Sequence, residues 1–180
     1  MGTVLILYAT REGQTEKIAV RIGDHLTQAG ARVRIINAKD KAVTQSLNLE
    51  IFDLLVFGAS MHAGGLEPEL VAFVNRHSAE IELKNRSFFL VLLSAATQDP
   101  VLKAEWLKDA CTKMRQQLQV SFPKVEMIAG ALMYSKYPLP LKWLMKQIAQ
   151  QAGEGTDLSQ DYEYTDWQQV QQYAQALIKA

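Results

Sequence analysis

Val4-Leu5-Ile6-Leu7-Tyr8-Ala9, running directly into Thr10-Arg11-Glu12-Gly13-Gln14-Thr15, is the stretch that decides how this chain folds. A short continuous apolar run reads as a strand buried on both faces, as in a parallel sheet. Beyond the turn, Ile18, Ala19, Ile22, Leu26 and Ala29 recur at helical spacing, and Gly30 closes that helix at its C-terminal end. A strand, a hydroxyl-bearing turn and a helix in succession present free backbone N–H groups and the positive end of a helix dipole to an anion. The turn is neither G-x-G-x-x-G nor G-x-x-x-x-G-K-[ST], and it contains no lysine, so dinucleotide and nucleoside triphosphate readings lose their signatures. The hydroxyls of Thr10 and Thr15 and the Gln14 amide suit a single phosphate monoester, although the same residues also suit an ordinary capped connection.

Working outward, the pattern alternates. Arg32–Ile36 alternates polar and apolar like an edge strand, while Asp53–Ala59, Ser87–Leu93 and Val125–Leu132 are continuous apolar runs. Helices are expected over Glu67–His77, Val101–Leu118 and Asp166–Ile178. Five strands alternating with helices predict an α/β fold, a doubly wound five-stranded parallel sheet with helices on both faces. No repeat or linker divides the chain, so residues 1–180 read as one domain.

The composition narrows the function. Lys and Arg number 19 against 19 Asp and Glu, a balance that argues against a nucleic-acid binder. Cys111 is the only cysteine, which excludes an internal disulfide or a thiolate cluster and reads as a small core residue. Three scattered histidines give no metal site. His25 and His77 fall on helices as surface residues. No leader and no span of membrane length is apparent, which places the chain in the cytoplasm.

In a doubly wound sheet, ligands sit at the carboxyl ends of the strands, where strand order reverses. The loops there are Thr10–Thr15, then Ser60-Met61-His62-Ala63-Gly64-Gly65, then Ser94-Ala95-Ala96-Thr97. Each alone is a plain connection; three polar or glycine-bearing loops at one end form a site.

The T-R-E-G-Q-T turn, together with Phe57-Gly58-Ala59-Ser60 and the glycine loop, resembles the flavodoxin-like FMN-binding fold. Ile128–Tyr134, Gly153–Asp157 and the block Tyr162-Glu163-Tyr164-Thr165-Asp166-Trp167 resemble the menaquinone-dependent protoporphyrinogen IX dehydrogenase family, essentially end to end. The resemblance implies FMN as cofactor, with Thr10, Arg11, Glu12, Gly13, Gln14 and Thr15 on its phosphate. It implies that Ser60, Met61, His62, Ala63, Gly64, Gly65, Ser94, Ala95, Ala96 and Thr97 border the isoalloxazine ring. A porphyrinogen would then be the substrate and a quinone the acceptor, in haem biosynthesis, with no nucleophilic side chain required. His62 is the histidine expected beside the flavin, as proton carrier or ring contact. Neither ring loop carries the aromatic residue that electron-carrying flavodoxins stack on the flavin.

An inserted helix is expected after the fifth strand, within residues 133–160. Tyr134–Ala152 carries Lys136, Lys142 and Lys146 and no acid. Leu141, Leu144, Met145 and Ile148 share one helical face, with Lys142, Lys146 and Gln150 on another. Such a segment suits an anionic membrane surface, where a quinone dissolves, or a lid over an apolar substrate, or packing on its own domain. Arg11 and Lys136 are available for the propionates of a porphyrinogen. Two further readings stand beside the dehydrogenase: a flavodoxin-type electron carrier, and an NAD(P)H or quinone reductase with the same FMN site. Carriers of that kind tend to be strongly acidic, to steer towards basic partners, and this chain is not.

Overall fold

The computed structural model describes residues 2–62, 65–152 and 156–179. In chain order these form β1 (Thr3–Ala9), α1 (Gln14–Gln28), β2 (Arg32–Asn37), α2 (Lys41–Gln45), β3 (Leu54–His62), β4 (Gly65–Leu66), α3 (Pro68–Arg76), α4 (Ser78–Glu82) and β5 (Asn85–Leu92). There follow α5 (Pro100–Gln117), β6 (Val125–Ala129), β7 (Ala131–Leu132), α6 (Leu139–Ala152), β8 (Tyr162–Glu163) and α7 (Trp167–Ile178). The parallel strands lie in the order β2-β1-β3-β5-β6. This is the flavodoxin-like doubly wound sheet expected from the sequence.

Side chains alternate across the strands, and so divide the core into two layers. Leu5, Leu7, Leu55, Phe57, Phe88 and Leu90 face α3, α4 and α5, where Leu70, Val74, Ile81 and Met114 meet them. Val4, Ile6, Val56, Phe89 and Ile128 face α1 and α7, meeting Ile18, Ile22, Leu26, Val170 and Tyr173. Burying each such side chain contributes about 1.5–3 kcal/mol. Gly58 is required at the centre of β3, since a Cβ there would lie 1.9 Å from the Phe89 ring. Helix α1 ends as expected: Gly30 N–H donates to Thr27 O at 2.9 Å, and Ala31 N–H to Leu26 O at 3.0 Å.

The structure departs from the sequence reading in several places. Val125–Leu132 is not one strand. The chain turns out of the sheet at Gly130, and β7 pairs antiparallel with β8 instead. Strand β3 runs on to His62, so Ser60, Met61 and His62 belong to a strand extension that turns back through β4 rather than to a loop. The short helices α2 and α4 had no signal, because five residues cannot carry an apolar stripe. Cys111 is half-buried, not core; on α5, Ala110 and Met114 are the inward residues. His77 is half-buried, its ring 4.6 Å from that of Phe73.

The expected inserted helix is α6, preceded by a single 3-10 turn at Tyr134–Lys136. Tyr134 and Tyr137 are not available to a membrane. Both are buried in a third apolar cluster with Leu132 and Ala149. Leu139 and Trp143 are 73% and 60% exposed, and Lys146 Nζ lies 5.6 Å from the Trp143 ring centroid. The apolar face assigned to Leu141, Leu144, Met145 and Ile148 lies outside the described side chains. No helix among the described residues is long and apolar enough to cross a membrane.

Candidate functional site

Strand order reverses between β1 and β3, and Ala9 pairs with Ala59 in register, so the turns after these strands emerge side by side. All strands of the main path are parallel, which brings the end of β5 to the same edge. The three segments singled out from the sequence therefore share one end of the sheet. Ala63 and Gly64 lie outside the described residues.

The first turn is built around Gly13, which caps α1 at φ 100°, a left-handed conformation that a residue with a Cβ adopts only with strain. Its N–H donates to Thr10 Oγ1 at 2.9 Å. Glycine offers no side chain to cap the helix, so the N–H groups of its first turn are left for a ligand. Thr15 and Gln14 are 1% and 5% exposed, and Thr15 Oγ1 and Gln14 Oε1 have no hydrogen-bond partner. Leaving a buried polar atom unmatched costs about 1–3 kcal/mol. The Thr15 hydroxyl suits a phosphate oxygen, and the Gln14 carbonyl suits a hydroxyl or N–H donor on the same ligand. The turn thus fits an organic phosphate monoester.

Gln14 is held from an unexpected direction. Its Nε2 donates to Thr165 Oγ1 at 2.8 Å, and Thr165 donates in turn to Ala129 O at 2.7 Å. The motif that carried the more specific family resemblance is a tether between the end of β6, the residue before Asp166 and the phosphate turn. Lys17 adds an ion pair to Glu163 at 3.1 Å.

Two lysines reach the turn from elsewhere. Lys39, just after β2, donates to Thr10 O at 2.8 Å. Lys136, from the 3-10 turn before α6, donates to Glu12 O. Arg11 points to Glu67, at 3.0 Å, rather than into the turn. Glu67 precedes α3 and is 3% exposed, yet its carboxylate does not cap that helix. It sits instead 3.0 Å from Arg11, 3.4 Å from His62 Nε2 and 3.8 Å from Lys39 Nζ. The Arg11 contact is close without being aligned as a hydrogen bond. Glu67 is therefore a buried strut joining the phosphate turn to the β3 extension.

His62 Nε2 also lies 3.0 Å from Ser60 Oγ, since residues two apart on a strand share a face. Burial lowers the His62 pKa; Arg11 and Lys39 lower it further, while Glu67 opposes them. The imidazole is accordingly neutral near pH 7. Glu12 behaves oppositely: burial raises its pKa, and Glu67 adds to the effect, against Arg11, Lys136 and a hydrogen bond donated by Tyr137. Tyr137 is itself pushed up to about 12 by burial and by Glu12.

In the third segment, Ala95 and Thr97 are buried, while Ser94 and Ala96 are half-buried. Leu93–Ala95 form a 3-10 turn, and Asp99 caps α5 through Val101 N–H at 2.8 Å and Leu102 N–H at 3.1 Å. Among the described residues no group of three or more His, Cys, Asp or Glu side chains could hold a metal. A cleft of about 450 Å³ opens at the opposite end of the sheet, around Val4, Leu26, Lys84, Arg86 and Leu177. Its cations are already engaged: Lys84 by the carbonyls of Glu50 and Phe52, Arg86 by those of Ser121 and Glu82, and Lys124 over the Tyr173 ring at 5.2 Å. We place the functional site at the carboxyl end of the strands.

Sequence reasoning did not select Lys39, Glu67 or Thr165. Lys39 and Glu67 carried no local signal. Thr165 stood within a quoted motif, but nothing in the pattern said that its hydroxyl reaches back 151 residues to Gln14.

Comparison with known proteins agrees with this geometry. A family model described as a flavodoxin domain matches residues 5–159. The protoporphyrinogen IX dehydrogenase [quinone] of Escherichia coli K12 is 29% identical over 173 residues, 96% of this chain and 93% of that protein. The protein of that name from Leishmania major is 29% identical over 172 residues, 94% of this chain and 72% of its own. Among solved structures, oxidised flavodoxin 1 from Bacillus cereus covers 99% of this chain and 98% of its own, with TM-score 0.56 and 15% identity.

Proposed function

Because the chain belongs to the flavodoxin domain family, we propose that it is an FMN-dependent oxidoreductase that oxidises protoporphyrinogen IX with a quinone as acceptor. The observation that carries the cofactor is the turn itself, with a buried Thr15 hydroxyl that lacks a partner and a Gln14 carbonyl that asks for a donor. The dehydrogenase reading is supported by the relatives named above, each similar over most of this chain. Thr10–Thr15 would hold the phosphate; Ser60–Gly65 and Ser94–Thr97 would border the ring. FMN held there would supply the redox chemistry of the reaction. The protein's part is to position it, and His62, half-buried beside Ser60 and Glu67, would serve as proton carrier or ring contact.

In this reading residues 1–180 act as one unit, with segment 133–160 as its addition to the common fold. The exposed Leu139 and Trp143, beside Lys142 and Lys146, would touch an anionic bilayer from the cytoplasmic side, where a quinone is reached. The decisive experiment supplies the purified yellow protein with protoporphyrinogen IX and a menaquinone analogue under anaerobic conditions, and with NADPH in parallel. Porphyrin fluorescence rising only with the quinone supports the proposal. NADPH oxidation without porphyrin formation would replace it by the general reductase, and inactivity with both donors by an electron carrier.

A further inference from the structure

We infer that Lys136, delivered from the segment before α6, is a phosphate-binding residue of the cofactor site. The inference rests on the FMN reading above and adds to it a residue from outside the strand–turn–helix unit. The turn has no lysine of its own, and its one cation, Arg11, is committed to buried Glu67 at 3.0 Å. A dianionic monoester therefore lacks a charged partner within Thr10–Thr15. Lys136 Nζ donates to Glu12 O, inside that turn. It also stands 3.5 Å from the point where a Cβ on Gly13 would lie, against the residue that caps α1.

The lysine is held there by its neighbours. Tyr134 is fully buried, and Tyr137 is 8% exposed. Ser135 donates its N–H to Asp161 at 2.8 Å and its hydroxyl to the same carboxylate at 2.6 Å. The backbone on either side is thus fixed before a ligand arrives, so little ordering cost remains for the ammonium. The ammonium has three donors, and its bond to Glu12 O uses one. The unpartnered hydroxyl of Thr15, a residue 1% exposed, marks independently that this turn is built for a ligand.

The experiment compares FMN with riboflavin, which lacks the phosphate, on protein stripped of flavin, by quenching of flavin fluorescence. Lys136→Gln should weaken FMN binding roughly tenfold or more, the scale of one hydrogen bond to a charged group, and leave riboflavin binding unchanged. Lys136→Arg should recover most of the loss, and the dependence of FMN affinity on salt should flatten in Lys136→Gln. Equal losses for FMN and riboflavin, or none for either, would overturn the inference and leave the cofactor reading intact. A wild-type protein that takes up neither flavin would overturn both. An unchanged thermal midpoint of the flavin-free Lys136→Gln protein shows that the effect is not one of folding.

Discussion

Thr165→Val tests whether the tether behind the phosphate turn is real. Valine keeps the shape of threonine and replaces only the hydroxyl, so no cavity opens. Two buried hydrogen bonds disappear, Gln14 Nε2 to Thr165 at 2.8 Å and Thr165 to Ala129 O at 2.7 Å. At about 1 kcal/mol each, the direct loss is about 2 kcal/mol, and more if Gln14 finds no new acceptor for its amide. For a domain of this size that lowers the melting temperature by roughly 4–8 °C. Thr165→Ser keeps the hydroxyl and removes one buried methyl, which costs about 0.8 kcal/mol. Urea unfolding of the flavin-free proteins measures both, and FMN titration reports whether Gln14 has lost its orientation. The reasoning fails if Thr165→Val unfolds within about 0.5 kcal/mol of wild type, or if serine is as damaging as valine. In the second case the methyl group matters, not the hydroxyl.

Two further outcomes follow from the site and its surroundings. Burial raises the Glu12 pKa above its unfolded value, so the carboxyl stabilises the fold when protonated, and that contribution is lost as pH rises through the folded pKa. Glu12→Gln should flatten this part of the pH–stability curve in thermal melts taken from acid to neutral pH, and should raise the melting temperature at pH 7; a curve that keeps the wild-type slope would show that another group carries it. At the other end of the same region, Trp143→Ala combined with Leu139→Ala should reduce co-sedimentation with anionic vesicles several-fold, with little effect on stability, since both side chains are mostly exposed. Unchanged sedimentation would remove the bilayer from the account.

How much of this was legible in the sequence depends on the reach of each signal. Periodicity is local, and it located β1, α3, α5 and α7 to within a residue or two. It misread Val125–Leu132, because a run of apolar residues does not reveal that the chain leaves one sheet at Gly130 and joins a second small one. The anion turn was legible because hydroxyls, glycine and the helix start are contiguous. Glu67 was not: a glutamate before a proline reads as an ordinary helix start, and only the fold brings Arg11, Lys39 and His62 around it. His62 was found as a residue, but its neutral state depends on burial and on two cations from distant segments.

The same distinction explains why the last quarter of the chain matters to a site encoded in its first fifteen residues. Thr165 fixes Gln14, Lys136 bonds the carbonyl of Glu12, Tyr137 donates to the Glu12 side chain, and Glu163 pairs with Lys17 at 3.1 Å. The first three join the turn, and the last joins α1, to the stretch between β6 and α7. An anion bound at the turn and the placement of Lys136, Tyr137 and Thr165 therefore share their contacts. Linkage makes any such coupling reciprocal: contacts that hold these residues at the turn favour an anion there, and a bound anion favours those contacts by the same factor. A turn of this kind could bind a phosphate with its own amides alone. That it is braced from the far end of the sequence ties occupancy of the site to the placement of the residues that precede α6 and α7.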